Sequence, residues 1–416
     1  EALRRTKLVY PTVGICWHDA TPMNLVDIAI ELICKGYSTP AFFNDNTIQH
    51  GLKELGVPPE DACNYINSTC VEITPVGASN VWVASPYFNL CGVLLQEIAE
   101  TAEQQPESFG EFKGGYLKRL GAVVKAGVEE QNRLRVAREQ RGRKPLQSVF
   151  TRNCIGRGMD IDCGGAVYNW VECSFVGLAN LADSLYAIRE QVFKFKRLSL
   201  RDLHAILADD FKGHEAIRQR FLNALPKYGQ DNAEVDSFLP ETVRFLIETC
   251  GQFRMRPDDS PFIPGAFVWT MHEQLGRETG ATPDGRKAGT PFADGAGPAQ
   301  GRESKGPTAA ILSTTSWDHS HFIGGVAFNM KFSASLFERS PEAPNALREL
   351  VLTFLGRGGF ETQINVVDKN TLLAAQQNPE KYRDLVVRIG GYTDYFTRIS
   401  PEMQAEIMLR TEYGSV

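Results

Sequence analysis

No stretch of this sequence approaches the roughly 20 consecutive apolar residues that cross a bilayer as a helix, because charges interrupt even its apolar parts. Positive charge is not in excess either: 44 Lys and Arg stand against 50 Asp and Glu, a net charge of −6. That balance gives no basic footprint for nucleic acid or an anionic membrane, so neither is expected as a partner, and a small molecule is. CxxC spacing is absent among the nine cysteines (Cys16, Cys34, Cys63, Cys70, Cys91, Cys154, Cys163, Cys173 and Cys250), and an odd, scattered set argues against a disulfide framework. Reduced thiols and a cytoplasmic location follow as expectations. Asp318-His319-Ser320-His321 has no further His or Cys at ligand spacing nearby, so a polar loop is expected there and no metal. Gly295-x-Gly297 with Gly301 is one residue off the dinucleotide fingerprint and has no strand before it, which excludes a Rossmann site. There is no solenoid repeat and no initiator Met. The opening Glu1-Ala2-Leu3-Arg4-Arg5 runs at once into structured sequence, and the chain is expected to be a fragment or processed product.

What is present is enough material for a large core: 416 residues, 43% of them hydrophobic and 23% charged. Short apolar runs at Leu8 to Cys16 and Ala41 to Phe43 flank a helical pattern at Asn24 to Cys34, a βα rhythm that predicts parallel or mixed sheet in an α/β fold. Residues 92 to 104 and 112 to 141 have helical periodicity, as do Leu178 to Phe195 and Leu200 to Phe211, the last introduced by Ser199 as N-cap. Residues 150 to 169 and Gly276 to Gly306 are too rich in Gly and Pro for regular elements and are expected as ordered loops. Glu361 to Val367 alternates like a strand, Leu372 to Gln377 is helical, and Ser400-Pro401 opens a final helix to about Arg410.

Two short segments carry candidate chemistry. Arg388-Ile389-Gly390-Gly391-Tyr392 sets a glycine pair between apolar and aromatic residues. A tight turn accounts for such a pair, since glycine adopts positive φ freely. A second reading is radical storage: an α-carbon without Cβ can flatten and share an unpaired electron with both flanking amides. Ser68-Thr69-Cys70-Val71-Glu72 follows a helix-like PPEDACNYI. In an extended segment Cys70 and Glu72 project to one side, placing a thiol and a carboxylate on one pocket wall, where one group moves a hydrogen atom and the other a proton. A buried Cys beside a surface Glu is the competing reading.

The run GGFETQINVVDKNTLLAAQQNPEKYRDLVVRIGGYTDYFTRISPEMQAEIMLRTEY resembles the glycyl radical domain of the pyruvate formate-lyase-like superfamily. Its radical loop is R-V-(S/A)-G-Y; Arg388, Gly391 and Tyr392 match, while Ile389 and Gly390 depart from it. FFNDNTI, GGAVYN, VGLANLADSLYAI, ATPDGRKAG, GPAQGRESKGPTA and Asn329-Met330-Lys331-Phe332 carry the resemblance along almost the whole chain. It implies a ten-stranded α/β barrel wrapped by helices, of which this chain covers the second half, with a pyruvate formate-lyase-like portion at 1–280 and a glycine radical domain at 281–416. It also implies Gly391 as the radical site, Cys70 as the thiyl cysteine and Glu72 as the carboxylate of the Cys-x-Glu branch. That branch holds diol dehydratases, choline trimethylamine-lyase, isethionate sulfite-lyase, hydroxyproline dehydratase and arylacetate decarboxylases. Formate-lyase chemistry uses a vicinal Cys pair, which Val71 replaces here.

The implied activity is a lyase acting on a small hydroxylated substrate, a dehydratase-type C–O, C–N or C–S elimination. No cofactor is bound in this reading; a partner activating enzyme using S-adenosylmethionine and an iron–sulfur cluster installs the radical on Gly391. The further partners implied are the N-terminal half of the barrel and, in the intact protein, a second copy in a homodimer. An isolated second half is expected to be inactive. Three departures bear on the substrate: Ala84 where glycerol-type enzymes carry Asp, Thr69 in place of Gly before the cysteine, and Asn153 where Asp precedes Cys154 in relatives. Trp82, Tyr87 and Phe88 keep an arylacetate-type decarboxylase open as the alternative, and an inactive binding module is a third.

Overall fold

The computed structural model describes residues 2–5, 9–10, 12–68, 70–83 and 85–415. The expected βα rhythm is present at the start. β1 (Gly14–Trp17) pairs in parallel with β2 (Ala41–Asn44), Gly14 facing Ala41 and Trp17 facing Asn44. Parallel neighbours need a crossover, and helix Met23–Cys34 supplies it, burying Val26, Ala29, Ile30, Leu32 and Ile33 on one stripe. Of the apolar run Leu8 to Cys16, Leu8 and Pro11 lie outside the described residues. The PPEDACNYI segment is helical only over Pro59–Ala62; it then enters a hairpin of β3 (Tyr65–Asn67) and β4 (Ile73–Pro75), because Tyr65 and Ile66 suit a pleated surface better than a helix.

A curved wall of parallel strands follows. β5 (Tyr87–Asn89) lies beside β7 (Ser174–Val176), and β6 (Val171–Glu172) beside β9 (Ser260–Ile263), which also pairs with the short β8 (Arg254–Met255). Bridges Trp82–Val171 and Ala266–Val326 extend the pairing to β10 (Ala327–Phe332), which runs in parallel with β11 (Glu361–Val366) over all six residues. β11 then meets β2 in antiparallel sense, Glu361 facing Phe43. The wall therefore reverses direction at β2, where two oppositely directed parallel groups join. β14 (Glu412–Tyr413) adds to β10 through Phe332 and Tyr413.

Helices cover the outside much as the periodicity predicts. Asn89 caps Leu90–Gln104 by accepting from Gly92 N–H at 2.7 Å, Ser108 caps Phe109–Arg141, and Ser199 with Asp202 forms a capping box at Leu200–Ala208. Leu178–Ile188 is α-helical and widens into π-type turns over Arg189–Lys194. The strand expected at Glu361 to Val367 is β11, and every one of its residues is buried. Helix Ala343–Gly356 packs on it from one side, and the polar members Glu361, Gln363 and Asn365 are buried among other polar groups on the other. Gly276 to Gly306 is the ordered loop expected, and it runs between two helices, Met271–Arg277 and Gly306–Thr314.

Arg286 explains how so irregular a segment stays ordered in the interior. Its guanidinium donates to the carbonyls of Gly276 and Thr279, both at 3.2 Å, and to those of Gly280 and Thr290, while its carbon sits 4.4 Å from the Phe292 ring centroid. One planar fork thus satisfies carbonyls that no sheet or helix reaches. A lysine offers no such fork, and each buried carbonyl left unpaired costs about 1–3 kcal/mol. Arg286→Lys is expected to destabilise the protein by about 3 kcal/mol, read as a lower urea midpoint with unchanged slope.

Candidate active site

Two hairpin tips meet inside the wall. The first is β12 (Val386–Arg388) against β13 (Thr393–Tyr395), with Arg388 opposite Thr393 and Ile389 N–H donating to Tyr392 O at 2.9 Å. Gly390 and Gly391 form its buried tip. Gly391 has φ +83°, and a Cβ there would stand 2.4 Å from Cys70 Cβ and 3.1 Å from Phe267 Cε2. Since a Cα–Cβ bond is about 1.5 Å, the Gly391 α-carbon lies within roughly 4 Å of Cys70 Cβ. Residues 70 and 391 are thus in contact. Gly390 has its own reason: a Cβ on it would be 2.8 Å from the Trp269 carbonyl oxygen, so the Ser or Ala of the family motif has no room.

The second tip joins β3 to β4. Here Asn67 Nδ2 donates to Cys70 O at 2.9 Å and Ser68 N–H to Glu72 O at 2.7 Å. Cys70 and Glu72 reach the same cavity, but not by the pleat of an extended strand: Cys70 lies in the bend after β3, and the hairpin tip does the aiming. Thr69 lies outside the described residues. On the far side Gly325 (φ +95°) permits the backbone of Val71 to press close, for a Cβ there would lie 2.9 Å from Val71 O.

The cavity has a volume of about 600 Å³ and is lined by Cys70, Glu72, Tyr10, Tyr87, Trp269 and Asp394, with Val83, Phe267 and Tyr392 completing the wall. That is ample for a small molecule. Burial pushes the Cys70 thiol up to about 12, with the Glu72 charge adding to the rise. Burial likewise holds Glu72 above the ordinary carboxylate range, opposed by hydrogen bonds to Oε2 from Ser68 Oγ (3.0 Å) and Val71 N–H (3.2 Å). The pair is therefore an uncharged S–H beside a carboxyl of raised basicity, the forms that hydrogen-atom donation and general-base work require.

Of Trp82, Tyr87 and Phe88, only Tyr87 lines the cavity. Phe88 stacks on Phe175 at 5.1 Å, and Trp82 lies under Arg135 and Arg138, with guanidinium carbons 5.1 and 4.2 Å from its ring centroid. Ala84 lies outside the described residues. Asn153 is exposed and holds a left-handed backbone (φ +81°) before the turn Cys154–Arg157, a conformation asparagine tolerates; it is not a cavity residue. In the Asp318–His321 loop, His319 Nδ1 accepts from Phe360 N–H at 3.1 Å and Nε2 lies 2.9 Å from Thr314 O, so its ring serves packing.

Behind the glycine tip stands a buried polar clamp. Gly391 N–H donates to Gln363 Oε1 at 3.1 Å, and Gly391 O accepts from Arg388 Nη2 at 2.9 Å. Arg388 Nε also donates to Gln363 Oε1, and Gln363 Nε2 donates to Glu361 Oε2 at 3.0 Å. Asn365 braces the strand, accepting from Arg388 N–H at 2.7 Å and donating to Arg388 O at 2.8 Å. Sequence reasoning missed Glu361, Gln363 and Asn365. The available signal was polar residues at every second position of a core strand, which marks one polar face in an otherwise apolar interior.

A buried glycine tip stands against a cavity cysteine inside a wall of parallel strands, the arrangement expected of a glycyl radical enzyme. The chain belongs to that family: residues 1–276 match the pyruvate formate lyase-like model and residues 292–397 the glycine radical model. It is 32% identical to the "Probable dehydratase YbiW" of Escherichia coli K12 over 99% of this chain and 54% of the relative. Among solved structures, the glycerol-bound B12-independent glycerol dehydratase of Clostridium butyricum superposes with TM-score 0.94 at 34% identity, covering 98% of this chain and 53% of that one. A Roseburia inulinivorans structure described for 1,2-propanediol dehydration gives 0.95 at 33%, covering 99% and 54%. The chain thus spans about half the length of the relatives it matches.

A raised, buried thiol resists alkylation, because the thiolate is the reactive form. At pH 8, iodoacetamide is expected to label the exposed Cys63 while leaving Cys70 unmodified, as read by peptide mass spectrometry.

Proposed function

We propose that this chain carries the radical centre of a dehydratase-type lyase in which Gly391 stores the unpaired electron, Cys70 becomes the thiyl and Glu72 is the base. One observation carries the reading: the Gly391 α-carbon packs against Cys70 within a cavity that Glu72 shares. An S-adenosylmethionine-dependent activating enzyme removes one hydrogen atom from Gly391. The Cys70 S–H then gives its hydrogen atom to the Gly391 α-carbon, breaking the S–H bond and leaving the electron on sulfur. The thiyl takes a hydrogen atom from the hydroxyl-bearing carbon of the substrate, and Glu72 takes the hydroxyl proton. The resulting ketyl-like radical expels its neighbouring group, which leaves with the proton from Glu72. Finally the product radical recovers a hydrogen atom from Cys70. The net change is loss of one neutral molecule, so no external oxidant or reductant is consumed after activation.

The leaving group is water in the first instance, in keeping with relatives described for glycerol and 1,2-propanediol. Among the described lining residues, the side chains that face the substrate include two carboxylates, Glu72 and Asp394, and the phenols of Tyr10, Tyr87 and Tyr392, with no Lys, Arg or His. Such a wall accepts hydrogen bonds from hydroxyl or ammonium groups and repels anions, which supports a polyhydroxylated substrate over an arylacetate. β1 ends its sheet, and its half-exposed residues leave an edge on which the remaining barrel strands close the cavity.

Anaerobic activation of the full-length protein is expected to give a glycine-centred electron paramagnetic resonance doublet. Cys70→Ala should keep that doublet and lose turnover entirely; turnover by Cys70→Ala would remove the assignment. Because Glu72 must be ionised to accept the proton and burial raises its pKa, kcat/KM is expected to climb with pH above the usual carboxylate range. Glu72→Gln should lose that ascending limb along with roughly a hundredfold or more in rate.

A further inference from the structure

The Gly391 backbone is held from both sides by two side chains that also hold each other. Gln363 Oε1 accepts from Gly391 N–H at 3.1 Å, Arg388 Nη2 donates to Gly391 O at 2.9 Å, and Arg388 Nε closes the ring on the same Gln363 oxygen. All members are buried: Gln363 is 1% exposed and Arg388 0%. The ring is anchored outside itself, by Glu361 on Gln363 Nε2 and by Thr393 Oγ1 accepting from Arg388 Nη1 at 3.3 Å. The hairpin alone does not fix the tip: past the Arg388–Thr393 pair it adds the Ile389 N–H bond to Tyr392 O at 2.9 Å, which leaves the Gly391 N–H and C=O to the two side chains. Between those residues, Gln363 reaches the Gly391 N–H from a different strand, β11.

We infer that Gln363 is the positioning residue that holds the Gly391 α-carbon at hydrogen-atom transfer distance from Cys70, through a closed ring with Arg388. The inference rests on the Gly391–Cys70 transfer proposed above and adds the group that sets its geometry. Hydrogen-atom transfer falls off steeply with separation, and a misplacement of about 1 Å in a reacting pair costs on the order of a hundredfold. The tip has little slack in the direction of Cys70 and Phe267, where contact is already tight. Away from them, the N–H bond to Gln363 and the C=O bond from Arg388 are what oppose withdrawal at Gly391 itself. Arg388 does not act independently, because its guanidinium is aligned by Gln363 Oε1 together with Thr393 Oγ1.

The transfer can be watched directly. In D2O the Cys70 thiol carries deuterium, which it passes to the Gly391 radical; reverse transfer then leaves deuterium on the α-carbon and collapses the proton doublet to a narrow line. The rate of that collapse in the activated full-length enzyme reports Gly391–Cys70 transfer without any substrate. Gln363→Met removes the acceptor while keeping the volume, and is expected to form the radical yet slow the collapse at least tenfold, with kcat reduced in step and KM little changed. Gln363→Glu keeps an acceptor for both donors and should collapse within about threefold of the parent rate. In the unactivated parent protein, the Gly391 amide should exchange hydrogen far more slowly than exposed loop amides. Equal collapse rates in parent and Gln363→Met overturn the inference, and so does an unprotected Gly391 amide, which decides the matter even if Gln363→Met fails to fold. A parent enzyme that shows no glycine doublet, or a doublet that never collapses in D2O, overturns instead the radical assignment on which the inference rests.

Discussion

Contact between the Gly391 α-carbon and the Cys70 β-carbon is the constraint around which this structure is arranged. It requires two hairpin tips to enter the interior and stop against one another, which a packed core normally forbids because tips carry unpaired backbone groups. Each tip is therefore supplied with local partners. Glu72, Ser68 and Asn67 satisfy the cysteine tip. Gln363 and Arg388 satisfy the glycine tip. The surrounding wall contributes glycines where a Cβ would obstruct, as at Gly325 behind Val71.

Much of this was legible in the amino-acid sequence, for specific reasons. Helices with good caps, such as those after Ser199 and Ser400, fall within a few residues of their expected positions. Cys70, Glu72 and Gly391 were singled out by the family resemblance that runs along almost the whole chain, since each short motif alone has an ordinary structural reading as a turn or a buried cysteine. The clamp was not, since Gln363 meets Arg388 and Gly391 across 25 and 28 residues of sequence, and nothing local to either partner announces the meeting. The aromatic residues mislead for a related reason: Trp82, Tyr87 and Phe88 are neighbours in the chain, but bridge and strand pairing send their side chains to different surroundings. Only Tyr87 reaches the cavity.

The departures from the family's radical loop concern packing more than chemistry. Gly390 answers to the Trp269 carbonyl, whose residue has φ +48° and pushes its oxygen toward the tip. A bulkier residue at 390 would displace either Trp269, which lines the cavity, or Gly391, which touches Cys70. Ile389 is fully buried beside Val387 and Phe396, where a branched apolar side chain fills space.

Protonation states complete the logic of the site. Burial raises both the thiol and the carboxyl, yet the proposed mechanism asks opposite outcomes of them, with Cys70 keeping its proton and Glu72 able to lose one. The structure separates them by hydrogen bonding. Glu72 receives Ser68 Oγ and the Val71 N–H on Oε2, both of which favour its charged form. On Cys70, burial and the Glu72 charge both raise the pKa, against which the buried Arg388 charge acts only as a lesser pull. An ionised Glu72 therefore keeps its neighbour protonated, so in the proposed mechanism readiness of the base and retention of the transferable hydrogen reinforce each other.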